Sequence, residues 1–425
     1  MNVRISKSKV RGKVIAPPSK SFTQRAVACA LLAGGRSIIL NPSASEDGLS
    51  SLRAAEMLGE KIEVGDRSWT VSGGKFGSPE DVIHCGGSAT TLRLFAALSS
   101  LAPSATVLTG DATLRRRPMQ ELINAMDSLG AECFSTRGNG CAPIVVLGGG
   151  IGGGEAIIRG DVSSQFISAL LISCTQARKG TRLTLNTPLE SKDYVEMTLD
   201  VLARFGAQCS ADLGRGIFEI PPNQPLSPCT YSVEGDFSSA AFMLAAGVLN
   251  GDVEVQGLAM PSRQGDRSIL EIVRRMGGTL SQTASGIMAS ESRLSGISLD
   301  ARQTPDLVPV IAMLSTRAEG NTTISGIGRL KLKESDRITT IAETINAMGG
   351  QALPGRESIA ITGVEKTIGA EIDPHNDHRI AMACAILALA SEGDTLIRNA
   401  DCVSKSYPSF FNDLKQLGAD VEVFQ

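Results

Sequence analysis

The feature that most constrains the fold is an internal repeat. A helix-like segment ending in an apolar residue plus glycine recurs six times, with terminal glycines at Gly59, Gly130, Gly206, Gly277, Gly349 and Gly418, spaced 71, 76, 71, 72 and 69 residues apart. Glycine just past an apolar helical stripe marks a helix end, because it takes up the left-handed conformation without a Cβ clash. A short β-like run precedes each of these helices: RSIILNP, ATVLTGD, TRLTLNTP, DVEVQGL, TTISGIG and DTLIRNA. Before each run lies an alanine-rich apolar segment, beginning near Ser21, Ser88, Ser164, Ser238, Pro305 and Asp377. A helix that is apolar nearly all round is a buried one. Each unit therefore reads buried helix, strand, amphipathic helix, further strands. A period of about 70 residues exceeds that of the common solenoids, so the six copies are read as two sets of three. The break is expected around Pro225–Tyr231 (PLSPCTY), and the N-terminal strand, residues 1–13, is placed with the second set. The prediction is an α/β protein of two domains, residues 14–230 and residues 1–13 joined to 231–425.

At 425 residues the chain is long enough for two large cores. A net charge of −3 excludes a global basic field for nucleic acid, and 4% aromatics argue against base-stacking platforms. Any anion site is therefore local. Nine scattered cysteines, odd in number and without a CxxC pair, read as reduced thiols in a cytoplasmic compartment. The opening MNVRISKSKVRGKVIAPPSK has no apolar core of a signal peptide, and no apolar run has the length of a membrane span, so a soluble protein with no membrane partner is expected.

Charge gathers most densely in RLKLKESDR, where Arg329, Lys331, Lys333 and Arg337 surround Glu334 and Asp336. The apolar spacing Ile338, Ile341, Ile345, Met348 predicts a helix directly after it, so the run sits at a helix start. Cations at that electropositive end oppose the dipole, which points to an anion as their partner. The buried-helix starts are polar in the same way: PPSKSFTQR, GGSATTLR, DVSSQF, GDFSSA, TPDLV and HNDHR. N-capping accounts for one Ser, Thr or Asp at each start. It does not account for Lys20 with Arg25, Gln165 behind two serines, or His378 with Arg379. Helix starts bind polyanions through free N–H groups, and arginines grip carboxylate and phosphate through paired contacts. Lys20, Arg25, Arg93, Arg117, Lys333, Arg337, Arg379 and Lys405, with few acids evidently dedicated to them, imply a ligand of several negative charges facing helix starts across a cleft. Asp306 and Glu334 are the acid–base candidates. The HxxH of His375 and His378 has no matching ligand cluster, so no metal site is expected. The glycine run Gly149–Gly154 lacks a following Lys-Ser/Thr and is read as a turn.

The motifs PPSKSFTQR, CGGSATTLRLFAAL, LRRRPMQEL, DVSSQF, SKDYV, TPDLV, KLKESDR, NDHR and SKSYP occur in one order across the whole chain. As a set they resemble the 5-enolpyruvylshikimate-3-phosphate (EPSP) synthases. The resemblance implies a two-domain inside-out α/β barrel of the enolpyruvyl transferase type, with six βαβαββ units, three per domain. It implies transfer of the enolpyruvyl group of phosphoenolpyruvate to the 5-hydroxyl of shikimate 3-phosphate, with no metal or organic cofactor, by a monomer. Carried over by position, it places shikimate 3-phosphate on Lys20, Ser21, Arg25, Ser163, Ser164, Gln165, Ser191, Tyr194, Asp306 and Lys333. It places phosphoenolpyruvate on Lys20, Arg93, Arg117, Gln165, Arg337, Arg379 and Lys405, with Ala89 and His378 beside it. Asp306 becomes the base for the hydroxyl, and Glu334 and Lys20 handle the proton at the methylene carbon and the departing phosphate.

Two positions depart from the pattern. Ala89 stands where many members have glycine, and its methyl is expected to crowd a slightly longer phosphoenolpyruvate mimic such as glyphosate. Arg329 stands where some members have an asparagine that touches the sugar phosphate. The sister family that uses a UDP-sugar acceptor carries a GCAIGxRP loop. Here that stretch is DATLRRRP, with Ala112 at the cysteine position, and KESDR is foreign to that family.

Overall fold

A computed structural model of the chain describes residues 1–59 and 61–424. They form two compact units: a terminal unit, Met1–Pro17 with Gly235–Gln425, and a middle unit, Pro18–Glu234. The junctions fall four residues later than the sequence predicts, at 17/18 and 234/235. Strand pairing explains the difference. Val10–Ile15 lies parallel to Gly251–Gln256, which keeps residues 14 and 15 in the terminal unit. Thr230–Ser232 lies parallel to Gly35–Leu40, which keeps it in the middle unit.

The repeat is realised as six four-stranded sheets among the described residues. All six share one plan, a parallel pair extended by two antiparallel strands. In one of them Gly154–Ile158 runs parallel to Thr181–Leu185, which pairs antiparallel with Ile217–Ile220, itself antiparallel to Ser210–Asp212. Along Thr181–Leu185 the residues alternate, with Thr181, Leu183 and Leu185 buried and Arg182 exposed opposite Glu219. That is the period of two expected of a sheet covered on one face.

The alanine-rich segments form buried helices: Lys20–Leu32, Ala89–Ser99 and Ser164–Ser173 in the middle unit, and Phe237–Asn250, Val308–Thr316 and His378–Ala388 in the terminal unit. Every residue of Val308–Thr316 is buried. Each unit has its own core, made of its three buried helices, the inner faces of its sheets and the apolar faces of its amphipathic helices. Five of the six starts are capped by a side chain accepting from a backbone N–H: Ser19, Ser88, Ser163, Asp236 and Asp377. The sixth enters through a short turn of tighter helix, Pro305–Leu307, which carries Asp306.

The amphipathic helices end at the predicted glycines. Gly130, Gly206, Gly277, Gly349 and Gly418 have φ between 73° and 94°, as a left-handed helix end requires. Gly59 differs, with φ −136°. A Cβ there would lie 2.5 Å from Leu31 Cδ1, so close approach, not handedness, selects glycine. The run Gly149–Gly154 is a turn whose Gly149 and Gly150 N–H groups donate to Ala102 and Ser100 carbonyls. No helix among the described residues is long and apolar enough to cross a membrane.

Candidate active site

In the middle unit, side chains tie the three buried-helix starts to one another. Gln24 Nε2 donates to Ser88 Oγ at 2.9 Å and Thr91 Oγ1 at 3.1 Å, joining the Lys20 and Ala89 helices. Arg93 Nη1 donates to Gln165 Oε1 at 2.7 Å and Ser163 Oγ at 3.1 Å, joining the Ala89 and Ser164 helices. Its Nη2 donates to the Pro118 carbonyl at 3.1 Å, next to Arg117, and its guanidinium lies 4.7 Å from the Phe166 ring. Arg25 is 1% exposed. Its three nitrogens reach Thr198 Oγ1, the Ser21 and Tyr194 carbonyls, and Ser168 Oγ. Burial pulls it down to about 10, so it is still charged at neutral pH. Ser191 holds a left-handed backbone (φ 55°) before the Lys192–Arg204 helix, and its carbonyl accepts from Tyr194 N–H. A non-glycine residue held there is strained, which is typical of ligand-positioning loops. Ala89 opens its helix and is buried beside Ser88. Lys20 Nζ pairs with Asp47 Oδ2 at 2.8 Å. Arg93, Ser163 and Gln165 thus form one hydrogen-bonded group, and Arg25, Ser21 and Tyr194 another.

The terminal unit centres on Arg337, the first residue of the Arg337–Ala347 helix, which Asp336 caps. The predicted helix and its charged start are both present. Arg337 is 1% exposed and bonded to three carboxylates. Nε donates to Asp377 Oδ2 at 2.8 Å, Nη2 to Asp377 Oδ1 at 3.2 Å and Glu334 Oε2 at 2.7 Å, and Nη1 to Asp306 Oδ1 at 2.9 Å. Burial alone would weaken this cation, but Asp377, Glu334 and Asp306 overcome it and hold Arg337 above its ordinary value. Asp306 also receives Lys333 Nζ at 3.3 Å on Oδ1 and Arg379 Nη2 at 3.2 Å on Oδ2. Burial pulls Lys333 down to about 8 against the opposing pull of Asp306. His378 is buried at the head of its helix, and Lys405 Nζ donates to the Asn376 carbonyl at 2.7 Å. That carbonyl belongs to the left-handed pair His375 and Asn376, so Lys405 braces the strained turn leading into His378 and Arg379.

One sequence expectation is corrected here. The cations do have dedicated acids: Asp47 for Lys20, Asp306 for Lys333 and Arg379, and Asp377, Glu334 and Asp306 for Arg337. Asp47 and Asp377 were missed because they lie 27 and 40 residues from their partners. Asp377 was also hidden by its role as a helix cap. Arg329, at the departing position, donates to the Arg302 carbonyl. Among the described residues no group of three or more His, Cys, Asp or Glu side chains is arranged to hold a metal ion.

The family model for EPSP synthase (3-phosphoshikimate 1-carboxyvinyltransferase) matches residues 5–414. The chain belongs to the EPSP synthase family. Among its EPSP synthase relatives is a 3-phosphoshikimate 1-carboxyvinyltransferase of Methanocella arvoryzae, 43% identical over the full length of both chains. One from Methanococcus maripaludis is 40% identical over 98% of each. EPSP synthase from Acinetobacter baumannii superposes with a TM-score of 0.83 at 26% identity, covering both chains completely. The enolpyruvyl transferase NikO of Streptomyces tendae shares the fold, with a TM-score of 0.81 at 19% identity over 99% of this chain and 98% of that one. Each of the two units carries three of the six sheets, as the repeat predicts.

Proposed function

We infer that this chain transfers the enolpyruvyl group of phosphoenolpyruvate to the 5-hydroxyl of shikimate 3-phosphate, releasing phosphate, on the route to the aromatic amino acids. The observation that carries the reading is Asp306. In a chain that belongs to the EPSP synthase family over nearly its whole length, this one carboxylate is bonded to Lys333, Arg337 and Arg379. Such a cluster fixes a base and surrounds it with the charge needed to stabilise anionic states.

The roles follow from the chemistry. Asp306 takes the proton of the 5-hydroxyl as its oxygen attacks C2 of phosphoenolpyruvate, and Glu334 or Lys20 protonates C3. The adduct carries a methyl group, the new ether and the phosphate on one carbon. Loss of a methyl proton re-forms the double bond and expels phosphate. Lysine suits position 20 because, unlike arginine, it can release a proton when desolvated. We assign shikimate 3-phosphate to Ser21, Ser163, Ser164, Gln165, Ser191, Tyr194 and Lys333, with Arg25 bracing Ser21 and Tyr194 from below the surface. We assign the phosphoenolpyruvate charges to Lys20, Arg93, Arg117, Arg337, Arg379 and Lys405, with Ala89 and His378 beside them. We take the chain to be a cytoplasmic monomer, in keeping with nine free cysteines, most of them buried.

The reading is tested by phosphate release from phosphoenolpyruvate with shikimate 3-phosphate or with a UDP-sugar as acceptor. Release with the first alone is expected; release only with the second would transfer the chain to the sister activity. A further expectation concerns Ala89. Its methyl lies at the start of the Ala89–Ser99 helix, where the phosphoenolpyruvate anion is assigned. Ala89→Gly should tighten glyphosate inhibition by about tenfold or more, since one misplaced methyl costs roughly 1–3 kcal/mol. An unchanged inhibition constant in a wild type that is already sensitive would remove the argument.

A further inference from the structure

Two loops of the middle unit lead to residues assigned to shikimate 3-phosphate, and one side chain joins them. Gly154–Ile158 and Thr181–Leu185 are parallel neighbours, so their carboxyl ends lie side by side. The first strand runs through 159–162 to Ser163 and the start of the Ser164–Ser173 helix. The second runs through 186–190 to Ser191 and the start of the Lys192–Arg204 helix. Ligands of α/β proteins commonly bind outside the carboxyl ends of parallel strands, next to helix starts.

The loops touch along their length. Asn186 N–H donates to the Ile158 carbonyl at 3.2 Å, and Glu190 N–H to the Gly160 carbonyl at 3.1 Å. A Cβ on Gly160 would lie 2.9 Å from both the Thr187 and the Pro188 carbonyl oxygens, so the two backbones have no slack there. Thr187 sits between those bonds. Its Oγ1 accepts from Gly160 N–H at 2.9 Å and from Asp161 N–H at 3.2 Å, and donates to Asp161 Oδ1 at 3.0 Å. One donor and two lone pairs are the whole capacity of a hydroxyl, and all three are used. Arg159 Nε and Nη2 donate to the two oxygens of Asp161 at 2.9 and 2.8 Å, and hold that carboxyl below its ordinary range.

We propose that Thr187 is a positioning residue for shikimate 3-phosphate, fixing the spacing between the Ser163–Ser164 helix start and Ser191. The inference rests on the assignment of that ligand to those serines. Asp161, one end of the clip, lies two residues before Ser163, and Glu190, bonded to Gly160, is next to Ser191. Ser191 is held at φ 55°, a conformation that persists only where the surroundings impose it. Thr187→Val keeps the shape of the side chain and leaves the N–H groups of Gly160 and Asp161 without that acceptor. The loops then shift apart, and a ligand gripped by both loses contacts to one. Asp306 and Arg337 belong to the terminal unit, so the chemistry of bound substrate is left as it was.

The test is steady-state kinetics, with calorimetry of shikimate 3-phosphate binding, for wild type, Thr187→Val, Thr187→Ser and Asp161→Ala, each checked for folding by thermal melting. Thr187→Val should raise KM and Kd for shikimate 3-phosphate about tenfold, the scale set by a backbone donor left without its acceptor. Its kcat and its KM for phosphoenolpyruvate should stay within about twofold of wild type, the pattern of lost ground-state binding. Thr187→Ser keeps the hydroxyl and should behave as wild type. Asp161→Ala removes one bond of the three and should give a smaller rise, about threefold. Unchanged shikimate 3-phosphate binding in Thr187→Val overturns the proposal, as does a fall in kcat alone or an equal loss in Thr187→Val and Thr187→Ser. If Thr187→Val does not fold, unchanged binding in Asp161→Ala overturns it. Wild-type binding in both Ser163→Ala and Ser191→Ala would instead remove the assignment on which it rests, so the two failures are distinguishable.

Discussion

Asp306→Asn should lower kcat by about a hundred- to ten-thousand-fold, the usual contribution of a positioned general base. The substitution keeps the shape of the side chain and removes only its charge and basicity. Arg337 keeps Asp377 and Glu334 as partners, so the surrounding cage should stay in place. Binding of both substrates, measured by calorimetry, should change far less than turnover. Lys333 offers a second readout. Asp306 is the neighbour that raises it most, ahead of Glu334, so without that carboxylate its titration should drop below about 8. Turnover close to wild type with both substrates bound would show that another group takes the hydroxyl proton.

Arg337→Met should give the largest loss of stability among single changes at the site. Arg337 and Asp377 are both buried, at 1% and 0% exposure, so solvent screens neither charge. Removing the guanidinium leaves Asp377 buried without its counter-charge, and breaking such a pair costs about 3–5 kcal/mol. For a unit of this size, each kcal/mol lowers the midpoint of melting by about 2–4 °C, so a fall of roughly 6–20 °C is expected. Arg36→Ala is the control. Its pair with Glu63 is exposed at 62% and 69%, and solvent-exposed pairs contribute little. Calorimetric melting of the two variants checks this. Equal small shifts would mean that water reaches the Arg337 cluster after all.

Both predictions depend on partners that the sequence disclosed unevenly. The repeat was legible because each unit writes the same local code: an unbroken apolar helix, a strand of alternating residues, and an amphipathic helix closed by glycine. Those signals act over a few residues, so they survive reading in one dimension. The polar helix starts were legible for the same reason, since Ser88, Ser163 and Asp377 cap the helices they precede. Side-chain pairings between separate elements were not. Nothing near Lys20 in the chain announces Asp47, and nothing near Arg337 announces Asp377. The depth of Arg25 was likewise hidden, because a cation on an apolar helix looks the same in sequence whether it meets solvent, a ligand or the backbone of Tyr194. The junctions were misplaced by four residues because Val10–Ile15 and Thr230–Ser232 find their parallel partners more than 190 residues away.

The central claim is an addition followed by an elimination, carried out by residues gathered at the helix starts. Running the wild-type reaction in deuterium oxide with unlabelled phosphoenolpyruvate and shikimate 3-phosphate tests it most directly. If C3 is protonated to a methyl group and later loses one of its hydrogens, mass spectrometry should find deuterium on the enolpyruvyl methylene of the product. Product formed at full rate with no deuterium at that carbon would mean that no methyl-bearing adduct forms.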